Sequence, residues 1–521
     1  MRETRTLSEH ASKEIVARFG VRLPREAIVE TPAEAETAAV EIGFPVVLKL
    51  AGEGIAHKTE RGLVRLGLAD RAAVAREAEA LLALARPEDG AVRLLVAEQV
   101  QGQRELIAGL IRDPQFGPCV MLGLGGILAE ALGDAVFAAA PLTRAEARAM
   151  VEGLATHRLV TEPHRGEAAI DREALADILE GLGRLGVEHP EIVSVDLNPL
   201  IVAGGEPVAA DALVEVTTDG AAVEENADPG EPLPDADVLE RFRPLFHPEG
   251  IVVAGVAGHP GKFGFVTLHN LLSQGYSGAL FGVKPDGAEV LGRATLPSVS
   301  EVPAGAADLV VVCTPNRVNV QLLRDCAAQG IRAAFVTSAG YGEAGEAGQA
   351  IQRELVETAD ALGMLLIGPN GQGVISTPAS MCAQIVAPMP PAGRIGVASQ
   401  SGNLVSSYLN YAVATGVGVS KAVSLGNSAQ TGLPELLEYF SVDPDTDVAL
   451  AYVEGIRDGR AFRRAAARLT ARKPLVLVKG GAHAEGQRAA ASHTGALASD
   501  DRVFDGLCRQ LGVLRATTVE E

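Results

Sequence analysis

Tryptophan is absent, and all aromatic residues together make up only 4% of the 521 residues. Stacking platforms for single-stranded nucleic acid are built from such rings, so that function is not expected. An excess of positive charge is also lacking. The 45 Lys and Arg stand against 66 Asp and Glu, giving a net charge of -21, the opposite of a polyanion-binding surface. A small anion can still bind locally, because helix N-termini attract it whatever the total charge. Cysteine is scarce: Cys119, Cys313, Cys326, Cys382 and Cys508 are scattered, odd in number and free of C-x-x-C spacing. Reduced thiols in a cytoplasmic protein fit that pattern. The start, "MRETRTLSEHASKEIVARFG", reads as charged helix without a signal-peptide core. No apolar run approaches the roughly 20 residues of a membrane span. The expectation is a cytoplasmic chain with no nucleic-acid or membrane partner.

What is plentiful is glycine, 58 residues, within a composition that is 47% hydrophobic. That mix suits an α/β protein with many strand-to-helix turns, and the length suggests several domains. The sharpest compositional shift, "TTDGAAVEENADPGEPLPDADV" at 217–238, is acidic, rich in Pro and Gly, and reads as a linker. A second break, "APMPPAG", lies at 387–393. The expected division is 1–220, a linker 221–236, then 237–370 and 390–521. In the second block "GIVVAGVAG", "ADLVVVCTP", "IRAAFVTSAG" and "GMLLIGPN" alternate with helical stretches. The third repeats the rhythm with "GRIGVASQSG", "VGVSKAVSLGN", "DVALAYVEGI" and "KPLVLVKGG". Both patterns predict doubly wound parallel sheets.

Several constellations could carry chemistry. "VAGVAGHPGKFGFVTLHNLL" runs from buried strand through Gly255, Gly258, Gly261 and Gly264 into a helix. That arrangement can place backbone N–H groups around a phosphate, although such glycines also serve tight turns. Lys262 and Lys284 add cations. No acid ends the next strand, where a dinucleotide site holds the ribose hydroxyl, so a phosphorylated adenine nucleotide other than NAD is preferred. "SQSGN" puts Ser399, Ser401 and Gly402 at another strand–helix junction, as an anion seat or as simple helix caps. Glu454 follows an apolar strand, where doubly wound folds put ligands but where a helix cap also belongs. A carboxylate there could fix the tautomer of an imidazole. His493 sits in "ASHTGALAS", an unscreened histidine among small residues. In the first block Lys49 ends "FPVVLKL", and His57 and Lys58 follow. Asp196, Asn198 and Asp211 are spaced across an expected hairpin, offering oxygen ligands that suit Mg²⁺ on nucleotide phosphates; as isolated residues they also fit solvated turns.

Taken together these segments resemble the NDP-forming acyl-CoA synthetases, the acetate–CoA ligase (ADP-forming) group related to succinyl-CoA synthetase. "FPVVLKL", "IAHKTERGLV", "RELIAGLIRDPQFGPCVMLGLGGILAE" and "VDLNPL" match its ATP-grasp part; "GPNGQGVIS" closes a CoA-binding part; "SQSGNL", "SLGN", "YVEGIRDGR" and "SHTGALA" match its ligase part. The resemblance implies an N-terminal ATP-grasp module, a Rossmann-like CoA-binding domain and a flavodoxin-like ligase domain. It implies that His493 takes the phosphoryl group, oriented by Glu454 and seated by Ser399, Ser401 and Gly402. It makes Asn198 and Asp211 the Mg²⁺ pair, and puts Lys49 and Glu98 in segments that contact ATP. CoA falls to the loop with Gly255, Gly258, Lys262 and Lys284. His57 matches a second histidine that carries phosphate between centres.

The implied reaction is acid + CoA + ATP to acyl-CoA + ADP + phosphate on a small carboxylic acid. The sequence departs from the family in four ways. The ATP-grasp module comes first, Leu63 stands where a second glycine is usual, and Gly371 stands where a cysteine is common. Relatives also continue past "LGVLRATTVEE" into another flavodoxin-like domain, so either a partner chain supplies it or the protein does without it, and a homo-oligomer or a partner subunit is expected. A ligand-sensing module without turnover is the alternative from a different class.

Overall fold

Runs of Val, Leu, Ile and Ala bounded by Gly and Pro form the strands, and they build four sheets. The computed structural model describes residues 3–518, apart from 53–54, 56–57, 59–60, 127–132, 165, 224–229, 387 and 482–499. His57 and His493 therefore lie outside the described residues. The chain divides into two bodies, 1–225 with 502–510, and 226–501 with 511–521.

The first body holds two antiparallel sheets. The larger runs Thr4–Thr6, Leu213–Thr217, Ile192–Ala203, Glu105–Asp113, Gly117–Leu124 and Ala135–Ala139, with Glu206–Ala209 also paired to Ile192–Ala203. The smaller runs Glu26–Val29, Arg93–Glu98, Val46–Ala51 and Val64–Leu68. Ala35 and Ala39 of helix Pro32–Ile42, with Val74, Ala78 and Leu81 of helix Arg71–Ala83, cluster with Val46, Leu48 and Leu50. Successive strand residues face opposite ways, so Lys49 lies on the face those helices leave uncovered. Helix Asp501–Gln510 contributes residues 502–510 to this body. A Cβ on Gly506 would lie 2.1 Å from the Phe137 carbonyl, and the Gln510 amide bonds both N and O of Ala139 at 2.9 and 3.0 Å.

The second body holds two doubly wound sheets. In the first, strands Gly250–Ala254, Ala279–Val283, Leu309–Val312, Ala333–Val336 and Leu365–Ile367 are all parallel in the order 2-1-3-4-5. In the second, Ala392–Ser399, Val419–Ser424, Val448–Val453, Leu475–Lys479 and Leu514–Ala516 repeat that order. Such sheets take ligands beyond the strand C-termini where the order reverses, between strands 1 and 3. The hairpin Gly373–Ser376 and Met381–Gln384, between the two expected blocks, joins the second sheet antiparallel to Val419–Ser424.

Helix Asp235–Phe246 begins inside the stretch read as linker. Acidic residues at its first turn suit the positive helix end, Asp235 takes Arg468 and Arg472 at 2.7 and 2.9 Å, and Phe246 stacks on Tyr439 with centroids 4.6 Å apart. Among the described residues, no helix is long and apolar enough to cross a membrane.

Candidate active site

In the first body the side chain of Lys49 meets three partners. Its Nζ donates to Glu9 Oε1 at 2.7 Å and to the Ala210 carbonyl at 3.1 Å, and lies 3.6 Å from Asp211 Oδ2. The hairpin Ile192–Ala203 and Glu206–Ala209 explains the arrangement: Ala210 N donates to Pro199 O at 3.0 Å, which brings Asp211 beside Asn198. Asp196 stands opposite Leu213 in the next strand. Burial raises the Asp211 carboxyl above the usual range, with Lys49 opposing and Glu9 adding to the shift. Burial, and then the Asp211 charge, raise Asp196. Two carboxyls both held above the usual range, beside an amide oxygen, form a hard donor set suited to a divalent cation. Glu98 is not brought to Lys49. It stands opposite Val46, three residues along, so strand alternation turns it to the other face, where it takes Arg25 at 3.0 Å.

In the second body the loop from Gly255 joins strand Gly250–Ala254 to helix Phe263–Ser273. Gly255 has φ +88°, and a Cβ there would meet Cys313 C at 2.9 Å; a Cβ on Gly264 would meet Gly255 O at 2.3 Å. These glycines let the helix N-terminus approach the strand, while Gly258 faces open space. Lys262 is the N-cap residue. Lys284 follows the neighbouring strand, since Ala254 pairs with Val283. Its ammonium is ion-paired with Asp286, so it is not the bare cation its sequence position suggests.

At the reversal point of the second doubly wound sheet lies a cavity of about 670 Å³, lined by Ser401, Gly402, Gln400 and Glu454 and reached by Phe263. Ser401 caps helix Gly402–Thr415, its Oγ accepting from Leu404 N at 3.4 Å. Ser399 is buried and braces the turn, accepting from Ser401 N at 3.1 Å and donating to Ser401 O at 2.9 Å. The capping reading thus holds for the hydroxyls, and the positive helix end still opens on the cavity. Gln400 Oε1 accepts from Glu454 N at 2.6 Å and Gly455 N at 3.2 Å. That clamp ties Glu454 to the helix junction.

Residues that the sequence reading did not single out complete the walls. Gln372 accepts from Ser406 Oγ at 2.8 Å and donates to Asn403 at 3.1 Å. Asn427 donates to Gln352 at 2.9 Å and to Glu343 at 2.5 Å. Although burial opposes it, the Asn427 amide and the N–H groups of Gly340 and Tyr341 hold Glu343 below the usual carboxylate range. Several of these lie in "GPNGQG", "SQSGNL" and "SLGN", which was the available signal.

Known proteins match this layout in order. An ATP-grasp domain covers residues 1–216, a CoA binding domain 249–377 and a succinyl-CoA ligase-like flavodoxin domain 392–521. ADP-forming acetate–CoA ligase II of Archaeoglobus fulgidus is 33% identical over 518 residues, 99% of this chain and 74% of that protein. The chain belongs to the ADP-forming acetate–CoA ligase family. Subunit alpha of ADP-forming acetate–CoA ligase I from Pyrococcus furiosus is 37% identical over 281 residues, 53% of this chain and 61% of that one. Among solved structures, the dinucleotide-forming acetyl-coenzyme A synthetase 1 of Ca. Korarchaeum cryptofilum, in complex with phosphate and ADP, is 36% identical with a TM-score of 0.51. That match covers 54% of this chain and 60% of the other. In this ligase family member the fold expected from the motifs is present in all three parts.

Two departures acquire structural reasons. Leu63 is buried, and its N–H donates to Lys58 O at 2.9 Å, where a glycine would leave that backbone freer. At Gly371 a Cβ would stand 2.7 Å from Phe335 Cζ and 2.8 Å from Ser424 O. Gly371→Cys is therefore expected to destabilise the chain by about 1–3 kcal/mol, the usual range for overpacking. Thermal melting checks this, and an unchanged midpoint would show that Phe335 yields freely.

Proposed function

We propose that the chain is an ADP-forming acid–CoA ligase that works through a phosphohistidine. The observation that carries this reading is the clamp at the cavity: a helix N-terminus and Glu454, tied together through Gln400, at the reversal point of the ligase sheet. An anion would be met there by the helix end, and an imidazole by the carboxylate. In the proposed sequence the Pγ–O bond of ATP breaks as an N–P bond forms on His57, and that N–P bond breaks in turn as one forms on His493. A carboxylate oxygen of the acid then takes the phosphoryl group, and the CoA sulfur displaces phosphate from the acyl phosphate. Each step is an exchange governed by positioning and charge neutralisation.

In the first body Lys49 would meet the nucleotide phosphates, and Asn198 and Asp211, with Asp196 nearby, would hold Mg²⁺. The metal supplies neutralisation of phosphate charge when bound. The loop with Gly255, Gly258 and Lys262 would take CoA, and His57 would carry phosphate from the ATP centre. The use of ATP and CoA, and five free cysteines, support a cytoplasmic setting. The P. furiosus relative is named as a subunit, which supports a partner chain as the alternative to a homo-oligomer.

The test is turnover by the purified chain with ATP, Mg²⁺, CoA and a panel of short, branched, aromatic and dicarboxylic acids. ADP and phosphate release matched to CoA consumption is expected. Binding of ATP and CoA without turnover on any acid would favour the sensing module, and turnover only with an added chain would favour the subunit. In titrations of the same preparation CoA should bind and NAD should bind weakly or not at all; tighter NAD binding would overturn the CoA loop.

A further inference from the structure

Helix Glu9–Arg18 buries Glu9, Ser12, Lys13 and Val16 on one face. Ser12 Oγ accepts from Val214 N at 3.0 Å, fixing the helix to the larger sheet. The two charged members of that face are not a simple pair. Lys13 already has Glu26 at 2.7 Å and Glu9 at 2.8 Å. Glu9, only 4% exposed, also accepts from Lys49 at 2.7 Å through Oε1 and from Lys58 through Oε2. One carboxylate thus gathers ammonium groups from a helix, a strand and the residue that follows His57.

A structural role would be met by one-to-one pairing, since a buried charge needs a partner and surplus like charges repel. Here the pairing is not one-to-one: Glu9 contacts all three lysines, while Glu26 meets Lys13 and Asp211 stands 3.6 Å from Lys49, beyond hydrogen-bond distance. Each ammonium has three N–H groups. Lys49 spends one on Glu9 and one on Ala210 O, and Lys58 spends one on Glu9. Asp211 is ion-paired with Lys49 at 3.6 Å, and among the described residues no further hydrogen-bond acceptor takes the rest. We propose that Glu9 is a positioning residue for nucleotide binding, its buried carboxylate holding Lys49 and Lys58 side by side with their remaining N–H groups turned to the phosphates of ATP. This rests on the reading of the Lys49 centre as the ATP site.

The experiment measures ATP affinity by calorimetry, with Mg²⁺, on the full chain and its Glu9→Gln, Glu9→Asp, Glu26→Gln and Lys49→Met variants. A CoA titration of each preparation reports folding of the second body, and a melting curve reports stability. Glu9→Gln should weaken ATP binding about tenfold or more, the scale of a lost charge-assisted contact. Glu9→Asp, which keeps the charge, should recover part of the loss. Glu26→Gln strips Lys13 of one partner but leaves Lys49 and Lys58 in place, so it should lower the melting midpoint and keep ATP affinity within about twofold. Weakening by Glu26→Gln equal to that by Glu9→Gln would make the effect structural and overturn the proposal. So would unchanged affinity in Glu9→Gln while Lys49→Met binds poorly. Unchanged affinity in Lys49→Met would instead remove the ATP centre itself, and the proposal with it.

Discussion

Replacing His493 by asparagine is expected to lower ATP- and CoA-dependent turnover about a thousandfold or more, the scale on which enzymes lose rate with their nucleophile. Asparagine keeps a polar side chain of similar size but cannot form the phosphoimidazole. Glu454→Gln should slow labelling without abolishing it, because Gln400 still clamps the backbone at 454 and 455 while the charge proposed to orient the ring is gone. His57→Ala divides the reaction. If His57 carries the phosphoryl group, this variant fails to charge His493 from ATP yet charges it normally from acyl-CoA plus phosphate, since that half-reaction is proposed for the cavity of the second body. Wild-type charging from ATP in His57→Ala would remove the carrier and leave His493 as nucleophile.

Asp211→Ala is expected to reduce ATP-dependent phosphorylation about a hundredfold or more, with CoA binding unchanged. Asp211 lies 3.6 Å from the Lys49 ammonium, and its carboxyl is raised by burial, the condition of a carboxylate that gains from a second cation. Its removal deletes a hard ligand beside Asn198 and leaves Lys49 with Glu9 and a carbonyl. Chelation of Mg²⁺ in the wild-type chain should reproduce the loss, and calorimetry with CoA should register no change in either case. Undiminished labelling of Asp211→Ala would defeat the metal assignment.

The strands were the most legible part of the sequence. "FPVVLKL", "GIVVAGVAG" and "DVALAYVEGI" each hold a strand, Val46–Ala51, Gly250–Ala254 and Val448–Val453, because a continuous apolar run between glycines or prolines has few other homes. The order of the doubly wound sheets is not in those runs, since it depends on which crossovers pair. Hairpin Gly373–Ser376 and Met381–Gln384 escaped notice because two four-residue strands carry too little periodicity, and the proline-rich break at 387–393 drew the boundary past them.

The site was legible where a charge or glycine is unusual for its place, as at Glu454 and Gly255. It was less legible where neutral amides do the holding: Gln372, Gln400 and Asn427 lie in the quoted motifs "GPNGQG", "SQSGNL" and "SLGN", but a neutral amide shows its role only in the bonds it makes. Glu98 shows what a segment conceals without its faces: strand alternation turns it away from Lys49 and toward Arg25. Glu9 shows the converse, for in "SEHASKEIV" an i,i+4 Glu–Lys pair reads as solvated surface. Only the packed helix reveals that Glu9 and Lys13 share the buried face with Ser12 and Val16.

The central claim, an acid–CoA ligase acting through His493, is tested most directly by locating the phosphate on the wild-type chain. The chain is incubated with γ-labelled ATP and Mg²⁺, digested at neutral to alkaline pH and mapped by mass spectrometry. The account predicts an acid-labile, base-stable phosphate on His493 that is discharged when the acid and CoA are added. A stable phosphate elsewhere, or none on His493 while ADP and acyl-CoA still form, would contradict it.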